Sequence, residues 1–319
     1  MARGGRRGLT VADVAADVAA GVAAAVAADV AADEPSPTRR LLVCADDYGQ
    51  SSAIDAAIGS LVLAGRLGAF SCLSNAQAWW ADAPAVAGLR RAGAQAGLHF
   101  NLTDGRPLSP ALARHWPQLP SLPRLLLAAH SGRLPLAAIA DELAAQWRAF
   151  EAASGAAPDF VDGHQHVHHL PGVRDVLLAW LRSHPVPVRS TARVAGPGSG
   201  IKRWVIAHSG GRALAAALTH AGVPHNHLLL GAYDFAATDY RALMQAWLAQ
   251  VPVEGALLFC HPGQASLGGP AAPDAIAAAR VRELAYLAGD DFPADLAAAG
   301  VVAGVAAGRV WRGTTGARA

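Results

Sequence analysis

Leu41-Leu42-Val43-Cys44-Ala45-Asp46-Asp47-Tyr48-Gly49 is the stretch whose reading decides the fold. Five small or apolar residues run without polar alternation into two adjacent carboxylates and a glycine. A strand covered on both faces has no reason to alternate, so the run reads as a buried parallel strand with its carboxylates at the C-terminal end. Active sites of open α/β sheets and β/α barrels lie at that end. Adjacent carboxylates repel, and a divalent ion is a natural partner because carboxylates and imidazoles are its usual ligands. On this stretch alone, a second reading stands beside the first: Asp46 caps the next helix and Asp47 sits in solvent.

Working outward, the same grammar recurs. Ala69 to Asn75 reads as a second strand. In Ala96-Gly97-Leu98-His99-Phe100-Asn101-Leu102-Thr103 the alternation puts His99 and Asn101 on one face. Pro158-Asp159-Phe160-Val161-Asp162-Gly163 leads into His164-Gln165-His166-Val167-His168-His169, and Gly255 to Cys260 ends in His261-Pro262-Gly263. Weaker strand signals lie at Val186–Arg189, His227–Gly231 and Val301–Val305. Helical spacing occupies the intervals, at Ile54/Ala57/Ile58/Leu61, at 81–92, at 136–153, after Pro171-Gly172, at 201–221, at 239–250 and from Asp274 to Leu287. The β-α rhythm repeats about seven times, which predicts an α/β fold with a parallel sheet, most simply a β/α barrel or a distorted one. One catalytic domain spans 38–312, followed by a tail at 313–319. Residues 104–134 lack long periodicity and read as a loop insertion that serves as a substrate lid or packs on a second copy, which leaves a homodimer open. Residues 1–37 read as a low-complexity Ala-rich extension, disordered or loosely helical.

Composition excludes several classes. A formal net charge of +2 in 319 residues, with basic residues scattered and aromatics at 6%, gives no footprint for nucleic acid. No run has the roughly 20 apolar residues of an integral membrane segment. Cys44, Cys72 and Cys260 lie in apolar runs with no CxxC spacing, which argues against disulfides and for a reducing, cytoplasmic location.

If the strands are parallel, four ends bearing Asp46-Asp47, His99, His164 and His261 converge on one face. Among the clustered histidines, His164 is the expected ligand, with His166 and His168 behind it or at the substrate. Such a His/carboxylate set suits metal-assisted hydrolysis of an amide or ester. One aspartate holds the ion, its neighbour takes the proton of the attacking water, and His261 serves the leaving group.

The segments Ala45-Asp46-Asp47-Tyr48-Gly49, Gly97-Leu98-His99-Phe100-Asn101-Leu102-Thr103, Asp162-Gly163-His164-Gln165-His166-Val167-His168, Cys260-His261-Pro262-Gly263 and Arg282-Glu283-Leu284 together resemble the YdjC-like carbohydrate deacetylases, which include chitooligosaccharide deacetylases and hopanoid-biosynthesis-associated members. The resemblance implies a deformed β/α barrel, one divalent ion (Mg²⁺ or Zn²⁺) and removal of acetyl from an N-acetylated amino sugar. It implies Asp47, His99 and His164 as metal ligands, Asp46 as general base, and His261 as acid or product-orienting group. Asn101, His166, His168 and Arg189 are expected at the substrate, an acetylated carbohydrate. Tyr48 replaces a usual Phe, and Asp55 stands where the family commonly has Asn. The rival readings are another β/α-barrel metal-dependent amidohydrolase and a non-catalytic sugar-binding protein.

Overall fold

The computed structural model describes residues 38–197, 200–264, 274–304 and 310–312. The expected N-terminal extension and the C-terminal tail lie outside the described residues. The buried apolar run forms β1 (Arg39–Tyr48), followed by α1 (Ser52–Leu63), β2 (Ala69–Cys72), α2 (Val86–Arg91) and β3 (Gln95–Phe100). Next come α3 (Pro110–His115), α4 (Leu122–His130), α5 (Leu136–Ser154), β4 (Val161–Gly163) and α6 (Val173–Leu181). The chain continues through α7 (Gly200–Ile206), α8 (Arg212–His220), β5 (His225–Asn226), β6 (Leu229–Leu230), α9 (Tyr240–Leu248) and β7 (Ala256–Cys260). It closes with α10 (Ala277–Ala288), α11 (Asp291–Ala298), β8 (Val301–Ala303) and β9 (Trp311–Arg312).

The main sheet runs in the order β4-β3-β2-β1-β7-β6, with β8 paired to the start of β1. Every pairing in it is parallel. Isolated parallel bridges at Val161–Val188 and Val194–Leu229 continue the curl on both sides. The expected strand at Val186–Arg189 is reduced to the Val188 bridge, because Pro185 and Pro187 carry no N–H for a ladder. The result is a parallel sheet curled into a half-barrel and surrounded by helices, which agrees with the parallel sheet expected from the rhythm and with the deformed β/α barrel implied by the resemblance.

Alternation divides β1 between two cores. Leu41, Val43 and Ala45 join the large cluster with Ile54, Ile58, Ile139, Leu143, Trp147 and Phe150 of the helices. Leu42 and Cys44 join a smaller cluster with Ala69, Phe160, Leu229, Leu257 and Phe259 from neighbouring strands, which places it inside the curl. Asp46 continues the inward row of Leu42 and Cys44. Strict alternation would turn Asp47 outward, but the register slips between Ala45 and Tyr48, and Asp47 adopts φ 71°. Asp is among the residues that tolerate this left-handed conformation best.

The region 104–134 is not a bare loop. It holds α3 and α4, each with proline in its first turn, and Ser109 caps α3 by accepting from Leu112 N at 3.1 Å. Proline at a helix start reads in sequence like a loop breaker, which is why these helices were not expected. The helix expected at 201–221 is split by a π turn at Ala207–Gly211. Among the described residues no helix is long and apolar enough to cross a membrane.

Gly97 sits opposite Phe160, whose buried ring fills the space a Cβ would need. Gly97→Ala should therefore destabilise the protein by about 1–3 kcal/mol through overpacking two residues from His99. Urea unfolding of the variant would measure it, and an unchanged midpoint would refute this packing.

Candidate metal centre and active site

The parallel register brings the ends of β1, β3, β4 and β7 to one edge, and with them Asp46, Asp47, His99, His164 and His261. Asp47, His99 and His164 each offer one donor atom to a single cluster. Asp47 Oδ1 lies 3.5 Å from His99 Nε2 and 3.1 Å from His164 Nδ1. Donors sharing one ion at about 2.0–2.2 Å subtend separations of this size. Electrostatics agree with the spacing. Burial disfavours charge on His99, but Asp162, Asp46 and Asp47 outweigh it and raise its pKa, as expected where a cation is welcome. Burial likewise opposes charge on Asp47, yet Arg280 and His164 hold its carboxyl well below the usual range. The residues present therefore fit a divalent ion.

The two aspartates are held differently. Asp47 Oδ2 accepts from Arg280 Nη2 at 2.8 Å, leaving Oδ1 to the histidines. Arg280 is itself tied to Asp274 at 2.6 Å and Gln50 at 2.9 Å. Asp46 is gripped through both oxygens by Arg189, Nη1 to Oδ2 at 2.7 Å and Nη2 to Oδ1 at 2.6 Å. Neither the helix-cap nor the solvated alternative holds: Ser51 caps α1, and both aspartates are 2% exposed.

After Gly163 the chain curls, with Gln165 and His166 both at positive φ, so the histidine run does not stay extended. His164 turns to Asp47. His166 lies edge-on to Phe259 at 5.3 Å, with its Nδ1 unpartnered and burial holding its pKa well down. His168 is fully buried and bonds the Arg189 carbonyl through Nε2 at 2.8 Å. Three of the residues expected at the substrate are engaged by protein groups. His168 and Arg189 are 0% exposed, and Arg189 serves Asp46. Asn101 spends its amide on its own turn, accepting from Thr103 N and Asp104 N and donating to Asn75 Oδ1 and Asp104 O. A polar residue on the right strand face was indistinguishable, in sequence, from one consumed by its own loop.

His261 has its Nδ1 unpartnered and its ring against Phe235 and Phe259. Burial lowers its pKa to about 4, against the pull of Asp47 and Asp46. Its backbone N–H donates to Glu283, whose other oxygen accepts from Tyr233 OH, each at 2.5 Å. Burial pushes Glu283 up to about 7. Arg280 and Asp162 escaped the sequence reading. Arg280 lies three residues before Glu283, one helical turn apart on the same face of α10, a spacing that could have revealed it.

Residues 40–298 match the family described as YdjC-like protein, so the chain belongs to that family. A carbohydrate deacetylase from Mus musculus is 37% identical over 179 residues, 53% of this chain and 55% of its own length. A chitooligosaccharide deacetylase from Klebsiella pneumoniae is 32% identical over 182 residues, 54% of this chain and 67% of its own. The chain spans about half the length of the mammalian relatives it matches. Among solved structures, a candidate cellobiose-phosphate cleavage protein from Enterococcus faecalis has the same fold, with TM-score 0.62 at 18% identity over 83% of this chain and 97% of that one.

The departure at Asp55 has a physical reading. Its Oδ1 accepts from Gly49 N at 2.6 Å, bracing the turn after the aspartates, and its carboxyl also faces the carboxylate of Asp82. Burial, with Asp82 nearby, pushes its pKa from 3.8 to about 8. A neutral acid there imitates the usual asparagine. The folded state therefore binds a proton that the unfolded chain releases above its own pKa, and stability falls as pH rises from about 4 to about 8. Asp55→Asn should match wild type in melting temperature near pH 4 and exceed it increasingly up to pH 8. A gap that does not change with pH would refute the assignment.

Proposed function

We propose that this YdjC-like protein is a metal-dependent carbohydrate deacetylase that hydrolyses the acetamide of an N-acetylated amino sugar. The observation that carries the reading is the Asp47, His99 and His164 donor cluster beside a second aspartate that is not one of its members. The names of its relatives, carbohydrate deacetylase and chitooligosaccharide deacetylase, support the substrate class. Asp47, His99 and His164 would hold one divalent ion. When bound, the ion supplies a Lewis acid that polarises the amide carbonyl and acidifies the attacking water. Two imidazoles and one carboxylate suit Zn²⁺, and Mg²⁺ is the other candidate.

Asp46 is the general base. Arg189 occupies one lone-pair site on each of its oxygens, and a carboxylate has about four, so a site remains for the proton of water. The same proton passes to the departing sugar nitrogen as the C–N bond breaks. His261, neutral at physiological pH with a pKa of about 4, fits the orienting role better than that of an imidazolium acid. Its N–H would hydrogen-bond the developing oxyanion or the leaving amine. His166 is the remaining candidate for substrate contact. Three buried free cysteines fit a reducing, cytoplasmic setting.

Asp46→Asn should retain the ion and lose roughly 10²–10⁴-fold in kcat, the usual worth of a positioned base. His99→Ala should lose the ion as well. The test is acetate release from chitooligosaccharides, free N-acetylglucosamine and acetylated glycolipids in the presence of Zn²⁺ or Mg²⁺. Release from none of them would refute the function, and full activity in Asp46→Asn would refute the mechanism.

A further inference from the structure

We propose that Asp162 is a positioning residue that serves the metal-binding half and the proton-transfer half of the site together. It lies opposite His99 in the β3–β4 register, is 0% exposed, and is not one of the three clustered donors. Its Oδ1 is 2.6 Å from His99 Nδ1 and accepts from Ser71 Oγ at 2.5 Å. Its Oδ2 lies 2.6 Å from Arg189 Nη2, the same nitrogen that reaches Asp46 Oδ1 at 2.6 Å.

Each oxygen has a separate consequence. A carboxylate against Nδ1 takes the ring's N–H on that side, which fixes the tautomer and leaves the Nε2 lone pair facing Asp47. The other oxygen gives the guanidinium a second anion to lean on. Arg189 hydrogen-bonds Asp46 through both Nη atoms and meets Asp162 Oδ2 as an ion pair without a hydrogen bond, so Asp162 acts on the guanidinium, and through it on the Asp46 carboxylate, by charge. Ser71 on β2 contributes a further hydrogen bond to Oδ1, which opposes rotation of the Asp162 carboxylate. The geometry makes the ligand's lone pair and the base's orientation depend on one side chain.

Two substitutions separate the halves. Asp162→Ala removes both contacts. Asp162→Asn retains an oxygen for His99 and Ser71 but turns an NH₂ toward the guanidinium. In Zn²⁺ titration calorimetry, Asp162→Ala should bind about 10–100-fold more weakly than wild type. Asp162→Asn should lose much less affinity, yet lose kcat with KM unchanged. The kcat arm rests on the deacetylase reading. The calorimetric arm needs no substrate, so a wild type that releases no acetate leaves it standing. A folded Asp162→Ala, verified by circular dichroism, that binds Zn²⁺ like wild type would overturn the proposal. Should Asp162→Ala fail to fold, long-range ¹H–¹⁵N NMR of the Zn²⁺-loaded wild type decides. A proton on His99 Nδ1 supports the proposal, and one on Nε2 overturns it.

Discussion

Three carboxylates, Asp46, Asp47 and Asp162, are buried together at the mouth of the barrel, and the rest of the site is arranged around that constraint. An unpaired buried charge carries an effective penalty of several kcal/mol. Arg189 spans Asp46 and Asp162, and Arg280 takes one oxygen of Asp47. These two arginines are 0% and 3% exposed, so they are structural counter-charges rather than surface groups. They leave the Oδ1 of Asp47, facing two imidazoles, as the place where a further positive charge is best accommodated.

The backbone contributes as much as the charges. A β-strand turns successive side chains to opposite faces, so two adjacent aspartates cannot both face inward on a regular strand. The slipped register at Ala45–Tyr48 and the left-handed Asp47 bring both inward. Gly49, at φ 94°, then turns the chain, and its N–H is fixed by Asp55. Strained backbone of this kind persists only where surrounding contacts over-determine it, and here it coincides with the residues assigned to chemistry.

A second layer braces the strand ends from the helices. Buried Gln146 and Glu142 of α5 clamp the chain after β3. Gln146 bonds both N and O of Asn101, and Glu142 accepts from Leu108 N and Ser109 N. From α10, Arg280 reaches Asp47 and Glu283 reaches the backbone of His261. The precision of the site therefore comes from helices remote in sequence from the strands that carry it.

The sequence by itself determined the parallel sheet, the edge on which the chemistry gathers, and the likeness to YdjC-like proteins. The physical reason is local: apolar strand runs ending in Asp46-Asp47, His99, His164 and His261 carry their chemistry at the same end. It could not determine which polar residues serve each other rather than a ligand. Arg189 and Asn101 look available in sequence, and only packing shows one spent on Asp46 and the other on its own turn. The helices α3 and α4 were hidden by prolines at their starts. Asp162 and Arg280 needed the fold for another reason. A carboxylate 63 residues from His99 and a guanidinium 233 residues from Asp47 become partners only when β3 meets β4 and α10 packs against the end of β1.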